Sequence, residues 1–178
     1  MTGPAPHIDA DLVHRLVAEQ FPKWSDLPVR SVQAGGWDNR TFHLGDRLSV
    51  RLPSAAGYQQ QVAKEHRWLP VLAPQLPLPV PVPVAKGRPG AGYPFSWSIY
   101  RWIDGEQATA DRIGDLTEFA VDLAGFLTAL QRADPTGGPA AGAHSFYRGA
   151  SLRTSDDETR RAIAALGPLI PADTATEL

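Results

Sequence analysis

The sequence has no cysteine among its 178 residues, which excludes a disulfide framework and a thiolate metal site. It also has no run of roughly 18 consecutive apolar residues, so it predicts no transmembrane helix. Its 17 basic and 19 acidic residues give a net charge of −2, and this balance does not favour nucleic acid or an anionic membrane as a partner. The first residues form no apolar signal segment. We therefore expect a soluble cytoplasmic protein.

Glycine and proline are abundant, at 16 and 17 residues, and they cluster between segments of regular hydrophobic periodicity. Gly45-Asp46 predicts a two-residue hairpin turn, and the proline-rich stretch 74–83 cannot be a central strand. The periodicity predicts these elements in order: a helix over 9–21 capped by Asp9, strands over 29–33, 40–44 and 48–52, a helix over 58–72, strands over 82–86 and 93–103, and helices over 114–133, 156–166 and 172–178.

This order of elements indicates an α+β fold. The first three strands read as an antiparallel meander, and five strands with a helix inserted after the third is the plan of a kinase N-terminal lobe. We predict a kinase-like N-lobe over 1–103, with a five-stranded antiparallel sheet and its helices. Residues 104–178 are expected to form a linker and the first helices of a truncated helical C-lobe.

A glycine turn between the first two strands is the first candidate for a nucleotide site. Gly35 and Gly36 allow the backbone to approach a phosphate without a Cβ clash, and Asn39 follows closely. The plain alternative is an ordinary Gly-Gly hairpin turn, because short glycine motifs are weak signals.

Arg51 and Glu65 form the second candidate. Arg51 lies on the third strand, where a guanidinium can hold phosphate oxygens bidentately. Glu65 lies on the following helix, where it can pair with Arg51. The alternative for each residue, considered alone, is an ordinary charged side chain on the protein surface with no role in binding.

The strand around Tyr100 gives the third candidate. An apolar strand that runs into Asp104-Gly105 has the form of a kinase hinge, where adenine pairs with backbone groups. The alternative is a core strand that simply leaves its sheet.

Several segments together resemble the aminoglycoside phosphotransferase family. They are Gly-Gly-Trp-Asp-Asn-Arg-Thr-Phe (35–42), Val-Arg-Leu-Pro (50–53), Lys-Glu-His-Arg-Trp-Leu-Pro (64–70), Leu-Pro-Leu-Pro-Val-Pro-Val-Pro (76–83), Tyr-Arg-Trp-Ile-Asp-Gly-Glu (100–106) and Gly-Ala-His-Ser-Phe-Tyr-Arg-Gly (142–149).

The resemblance implies a protein-kinase-like fold and the use of ATP and Mg²⁺ to phosphorylate a hydroxyl of a small molecule, in some members an aminoglycoside. It implies that Arg51 stands where most kinases have a phosphate-binding lysine, with Glu65 as its helix partner. Tyr100 would be the gatekeeper. The carbonyl of Arg101 and the N–H of Ile103 would contact the adenine.

The family also needs a catalytic loop of the form His-x-Asp-x-x-x-x-Asn and a further metal-binding aspartate, and the printed sequence has no such loop. Hence no catalytic residue and no metal ligand is assigned here, and the Mg²⁺ ligands are expected in a missing C-terminal part. The chain would be a shortened piece of a longer protein, a natural gene fragment or a non-catalytic descendant.

The histidines have no zinc-like spacing, and the acidic cluster at Asp156 fits a helix N-terminus.

Two functions remain open. The first is an ATP-dependent small-molecule O-phosphotransferase represented by its ATP-binding portion, inactive alone and of unknown acceptor. The second is a non-catalytic, pseudokinase-like interaction module. In the second case an apolar helix face would meet a partner or a second copy of the chain; its residues are Leu123, Phe126, Leu127 and Leu130.

Overall fold

The computed structural model describes residues 7–32 and 36–167. In chain order the elements are α1 (Ala10–Gln20), β1 (Val29–Ser31), β2 (Asn39–Leu44), β3 (Leu48–Pro53), α2 (Gln59–Leu72), β4 (Pro83–Gly87), β5 (Trp97–Arg101), α3 (Leu116–Arg132) and α4 (Asp156–Leu166).

The strands form one sheet in the order β1-β2-β3-β5-β4, and every neighbouring pair is antiparallel. This confirms the predicted five-stranded antiparallel sheet and the meander of its first three strands. β4 lies at an edge, where a strand that begins with Pro83 loses no internal ladder bond.

One face of the sheet packs on α1 and forms the core. The register places Phe42 and Ile99 on either side of Val50, so apolar side chains of three strands share this face. α1 buries Leu12, Val13, Leu16 and Val17 against it. Burial of each such side chain contributes about 1.5–3 kcal/mol. Asp9 caps the helix as predicted, since its carboxylate accepts from the Leu12 N–H at 2.8 Å.

The opposite face of the sheet is polar and lies next to α2. Arg51 pairs with Ser98 across β3 and β5, and Ser49 pairs with Tyr100, so these four side chains share one face. α2 buries only Val62. Its other large apolar side chains on this side, Trp68, Leu69 and Leu72, are only half-buried.

Two predicted boundaries are corrected by backbone geometry. β5 begins at Trp97 rather than at residue 93, because Tyr93 closes a tight turn by bridging to Gly90. The β2–β3 connection has three residues, 45–47, rather than two. Its first residue, Gly45, has φ +61°, a left-handed conformation that glycine adopts without a Cβ penalty. β1 ends at Ser31, two residues before the predicted end. Residue 33 and the helix predicted over 172–178 fall outside the described residues.

The chain divides into two compact units, 1–135 and 136–178. The first holds the sheet and α1 to α3. The second contains α4, which has the predicted bounds and an Arg160–Asp156 ion pair of 2.8 Å one helical turn apart.

α3 belongs to the first unit and is amphipathic. Asp115 caps it by accepting from the N–H groups of Thr117 and Glu118. Much of its apolar face is exposed in the described structure: Leu116, Phe119, Leu123, Leu127 and Leu130.

Candidate functional site

A cluster of three side chains stands on the polar face of the sheet. The Nη1 of Arg51 lies 3.4 Å from the Oε2 of Glu65, and the Tyr100 hydroxyl donates to the same oxygen. The Arg51 guanidinium also lies 5.2 Å from the centroid of the Tyr100 ring. About a quarter of the Arg51 and Glu65 side chains remains exposed, 29% and 25%, so the cluster is accessible to a ligand.

The pairing register and the helix that follows β3 bring these groups together. Arg51 pairs with Ser98, and Ser49 pairs with Tyr100. Residues two apart on a strand point to the same face, so Arg51 and Tyr100 share one face of the sheet. Burial raises the pKa of Tyr100, and the adjacent Glu65 carboxylate raises it further, while Ser98 and Arg51 oppose the shift. Tyr100 therefore stays a neutral phenol at physiological pH and remains a hydrogen-bond donor to Glu65.

Arg51 also lines an open pocket of about 370 Å³, to which Glu65 and Tyr100 do not contribute. The pocket is formed by the residues just before β2, by β2 and by β3; its lining residues are Gly36, Trp37, Asp38, Asn39, Thr41 and Arg51. Ser54 fixes this segment, because its hydroxyl donates to the carbonyls of Trp37 and Asp38 at 3.1 and 3.0 Å. Its N–H donates to the Asp38 carbonyl as well, at 2.9 Å.

This donor set fits an anionic group. Arg51 offers a fixed cation, and the Asn39 and Thr41 side chains offer neutral donors at the same wall. Donors of this kind bind phosphate oxygens, and Asp38 is the acidic residue in the same lining. A magnesium ion does not find ligands in the same way, since residues 7–32 and 36–167 contain no cluster of three or more histidine or acidic side chains suited to a metal.

The end of β5 is held on both sides by backbone bonds. The Arg101 N–H donates to the Val82 carbonyl at 3.0 Å, and the Trp102 N–H donates to the Arg47 carbonyl at 2.9 Å. The Trp102 ring lies against His43, with 4.1 Å between ring centroids. Ile103 follows and is half-buried.

The residues singled out from the sequence thus fall into two groups. Gly36, Asn39 and Arg51 share the 370 Å³ pocket, and Glu65 and Tyr100 join them through contacts to Arg51. Arg101 is the last residue of β5, and Ile103 lies two residues beyond the end of that strand. Arg101 lines a different pocket of about 400 Å³. Gly35 lies outside the described residues.

Two features of the site were missed by sequence reasoning. One is the set of hydrogen bonds from Ser54 to the carbonyls of Trp37 and Asp38. The other is a pair formed by His66 and the buried Ser98, 3.0 Å apart. A strand register pairing Arg51 with Ser98 would have shown that Ser98 faces the helix, but sequence periodicity does not supply a register between distant strands.

The sequence matches the model of the phosphotransferase enzyme family, APH, over residues 30–177. The chain belongs to this family. No curated protein matches it. In this phosphotransferase family member the five-stranded sheet and its helices correspond to the N-terminal portion of a protein-kinase-like fold.

The fold is similar to that of solved antibiotic phosphotransferases, two of them in complex with a nucleotide. The GDP complex of wild-type aminoglycoside 2'-phosphotransferase-IIIa is 20% identical, with a TM-score of 0.72, and the match covers 93% of this chain and 55% of that one. The streptomycin-ATP-APH(2")-IIa ternary complex is 19% identical, with a TM-score of 0.54 and coverage of 97% and 56%. The macrolide 2'-phosphotransferase MphH from Brachybacterium faecium, as apoenzyme, is 22% identical, with a TM-score of 0.53 and coverage of 90% and 54%.

This phosphotransferase family chain therefore spans about half the length of the solved structures it matches. At these identities the match shows the fold alone. Within the described ranges, no helix has the length and apolar character needed to cross a membrane.

Proposed function

We propose that this chain supplies the nucleotide-binding part of an ATP-dependent small-molecule O-phosphotransferase. The observation that carries the proposal is the convergence of Arg51, Glu65 and Tyr100 beside a pocket that also contains Gly36 and Asn39. Family membership supports a small-molecule phosphotransferase, and the nucleotides in the solved relatives support nucleotide binding.

Each site residue has a role in this proposal. Arg51 contacts the phosphates, and Glu65 orients the guanidinium. The glycine turn, Gly35 and Gly36, covers the phosphates while Asn39 donates to them. Tyr100 lies behind the adenine as gatekeeper.

The adenine would pair with the end of β5, through the carbonyl of Arg101 and the N–H of Ile103. The printed sequence contains no His-x-Asp-x-x-x-x-Asn segment, so we propose nucleotide binding without turnover for this chain alone. The described residues offer no cluster of three or more histidine or acidic side chains for Mg²⁺, so the proposal assigns no metal ligand to them. The proposed acceptor is a hydroxyl of a small molecule, and the proposed location is the cytoplasm, where ATP is abundant.

Calorimetry with ATP and with GTP, each with Mg²⁺, tests the proposal on this chain. Loss of a charge-assisted hydrogen bond costs about 1.5–3 kcal/mol, so Arg51→Ala is expected to weaken binding by about 10- to 100-fold. Arg15→Ala is the matched control, because Arg15 is an exposed arginine on α1, the helix on the other face of the sheet. Equal affinities for the two variants would remove Arg51 from the site. Tighter binding of GTP than of ATP would show that the chain binds a guanine nucleotide and would overturn the assignment of ATP.

A second candidate function is a non-catalytic, pseudokinase-like interaction module, and the exposed apolar face of α3 favours it. Leu123 and Leu127 are 43% and 46% exposed and lie one helical turn apart. We expect a module of this kind to self-associate through that face. In sedimentation velocity, Leu123→Asp with Leu127→Asp should then convert a concentration-dependent dimer to a monomer. A monomer already present in the parent chain would reject self-association.

A further inference from the structure

A histidine outside the proposed binding residues joins α2 to the sheet. The Nε2 of His66 lies within hydrogen-bond distance, 3.0 Å, of the Oγ of Ser98. Ser98 is fully buried on β5, and His66 is half-buried on α2. His66 directly follows Glu65, the proposed partner of Arg51.

α2 has few apolar anchors, and this makes its polar contacts important. The helix buries only Val62, whereas α1 buries four side chains. No side chain caps the α2 N-terminus, and Pro70 lies within the helix. A helix with so little apolar burial depends on specific polar contacts for its position.

The contacts of Glu65 and His66 fix that position in two directions. Successive residues on an α-helix are separated by about 100°, so neighbouring side chains that are both held restrict rotation of the helix about its axis. Glu65 is held by Arg51 of β3 and Tyr100 of β5, and His66 is held by Ser98 of β5.

We propose that His66 is a positioning residue: its contact with Ser98 latches α2 to β5 and so keeps Glu65 beside Arg51. The inference rests on the proposed function and deepens it, because the latch orders the guanidinium that would bind the nucleotide phosphates. His66 acts through Glu65 and Arg51.

The latch works with a neutral imidazole. Burial lowers the pKa of His66, the ammonium of Lys86 on β4 lowers it further, and Glu65 opposes the shift. The neighbouring charged or titratable groups are Glu65 on the same helix, Lys86 on β4 and Tyr100 on β5. Arg51 on β3 contacts Glu65 and Tyr100. Protonation of His66 would add a third cation to this region, so the latch should loosen as pH falls below the ordinary histidine pKa of 6.5.

Three substitutions separate the hydrogen bond from the space that the ring fills. His66→Phe keeps a ring and removes the bond. His66→Gln places an amide near the Nε2 position and keeps a bond to Ser98 that does not titrate. Ser98→Ala removes the partner. His14→Gln on the exposed side of α1 is the matched control for loss of a histidine.

Amide hydrogen exchange of residues 62–69 in the full chain tests the latch without nucleotide. A typical net hydrogen-bond contribution corresponds to a change of about 3- to 10-fold in an equilibrium. We expect exchange in α2 to be faster by about that factor in His66→Phe and Ser98→Ala. His66→Gln should restore protection. Between pH 7.5 and 5.5 the parent and His14→Gln should lose protection, and His66→Gln should keep it. Protected α1 amides would show that each variant is folded.

Parent-like α2 exchange in folded His66→Phe and Ser98→Ala would overturn the inference, as would equal pH dependence in the parent and His66→Gln. Nucleotide affinity measured on the same variants should weaken by a similar factor in His66→Phe and recover in His66→Gln. Absence of nucleotide binding to the parent would end the proposed function, while the exchange data would still decide the latch.

Discussion

Tyr100 donates its hydroxyl hydrogen to Oε2 of Glu65, the same oxygen that the Arg51 guanidinium approaches. A single carboxylate oxygen is thereby held between a cation from β3 and a neutral phenol from β5. Because the pKa of Tyr100 is raised by burial, this donor is present throughout the physiological pH range. The arrangement fixes Glu65 relative to two strands of the sheet.

Tyr100→Phe should separate this role from ring packing. The ring would remain and the bond to Glu65 would be lost, so we expect nucleotide affinity to fall by about 3- to 10-fold. Calorimetry with ATP measures the change.

Tyr93→Phe is the matched control, because Tyr93 is also buried and donates to the Pro53 carbonyl at 2.7 Å, in the core that contacts α1. It should lower the free energy of unfolding by about 1–3 kcal/mol and leave nucleotide affinity unchanged. Equal affinity losses in the two variants would show that the Tyr100 effect is general destabilisation.

Gly87→Ala should be strongly destabilising. A Cβ at Gly87 would overlap the ring of Trp97, which is fully buried on the adjacent strand. Forced displacement of a packed ring costs about 1–3 kcal/mol or more, and urea unfolding measures it. Gly57→Ala is the control, since a Cβ there meets nothing within 4 Å. A stability of Gly87→Ala within error of the parent would mean that β4 and β5 are not packed as described.

Gln20 joins the end of α1 to the start of the β4–β5 connection. Its amide donates to the Arg88 carbonyl at 2.9 Å and accepts from the Arg88 N–H at 2.8 Å. Gln20→Ala loses both bonds and should lower the free energy of unfolding by about 1 kcal/mol, because water can reach these groups. Gln20→Glu should fall between Ala and the parent. Gln107→Ala, at an exposed glutamine, should change nothing, and an equal loss there would refute the role of the pairing.

The stability of the chain should depend on pH through His66. Its pKa is lower in the folded state than its usual value of 6.5, so the unfolded chain binds more protons just below that pH. Stability is therefore full above about pH 6.5 and falls as pH decreases toward the folded pKa. Urea unfolding at pH 7.5 and 5.5 should show a smaller loss for His66→Gln than for the parent. Identical losses would contradict this assignment.

The order of helices and strands was predictable because turn residues separate segments of clear periodicity. Asp9 as a cap and the bounds of α4 needed only local information. The start of β5 could not be predicted in this way. The aromatic residues at 93–96 resemble a strand, but Ala91 and Gly92 adopt positive φ and turn the chain just before them.

The site was predictable only in part, for a related reason. Arg51 and Glu65 could be matched as a strand cation followed by a helix carboxylate. The Ser98–His66 contact depends on the register between β3 and β5 and on the rotation of α2, and neither can be read from one sequence. The domain boundary expected at 103/104 remains a prediction.

An amide-resolved chemical-shift titration of this chain with ATP and Mg²⁺ would locate the bound nucleotide residue by residue. We expect the largest changes at Gly36, Asn39, Thr41 and Arg51, with a second set at Ile103. A second pocket of about 460 Å³ lies at the β2–β3 turn and is lined by Trp24, Leu27 and Gly45, among others. Changes confined to that pocket, or no changes at all, would contradict nucleotide binding beside Arg51.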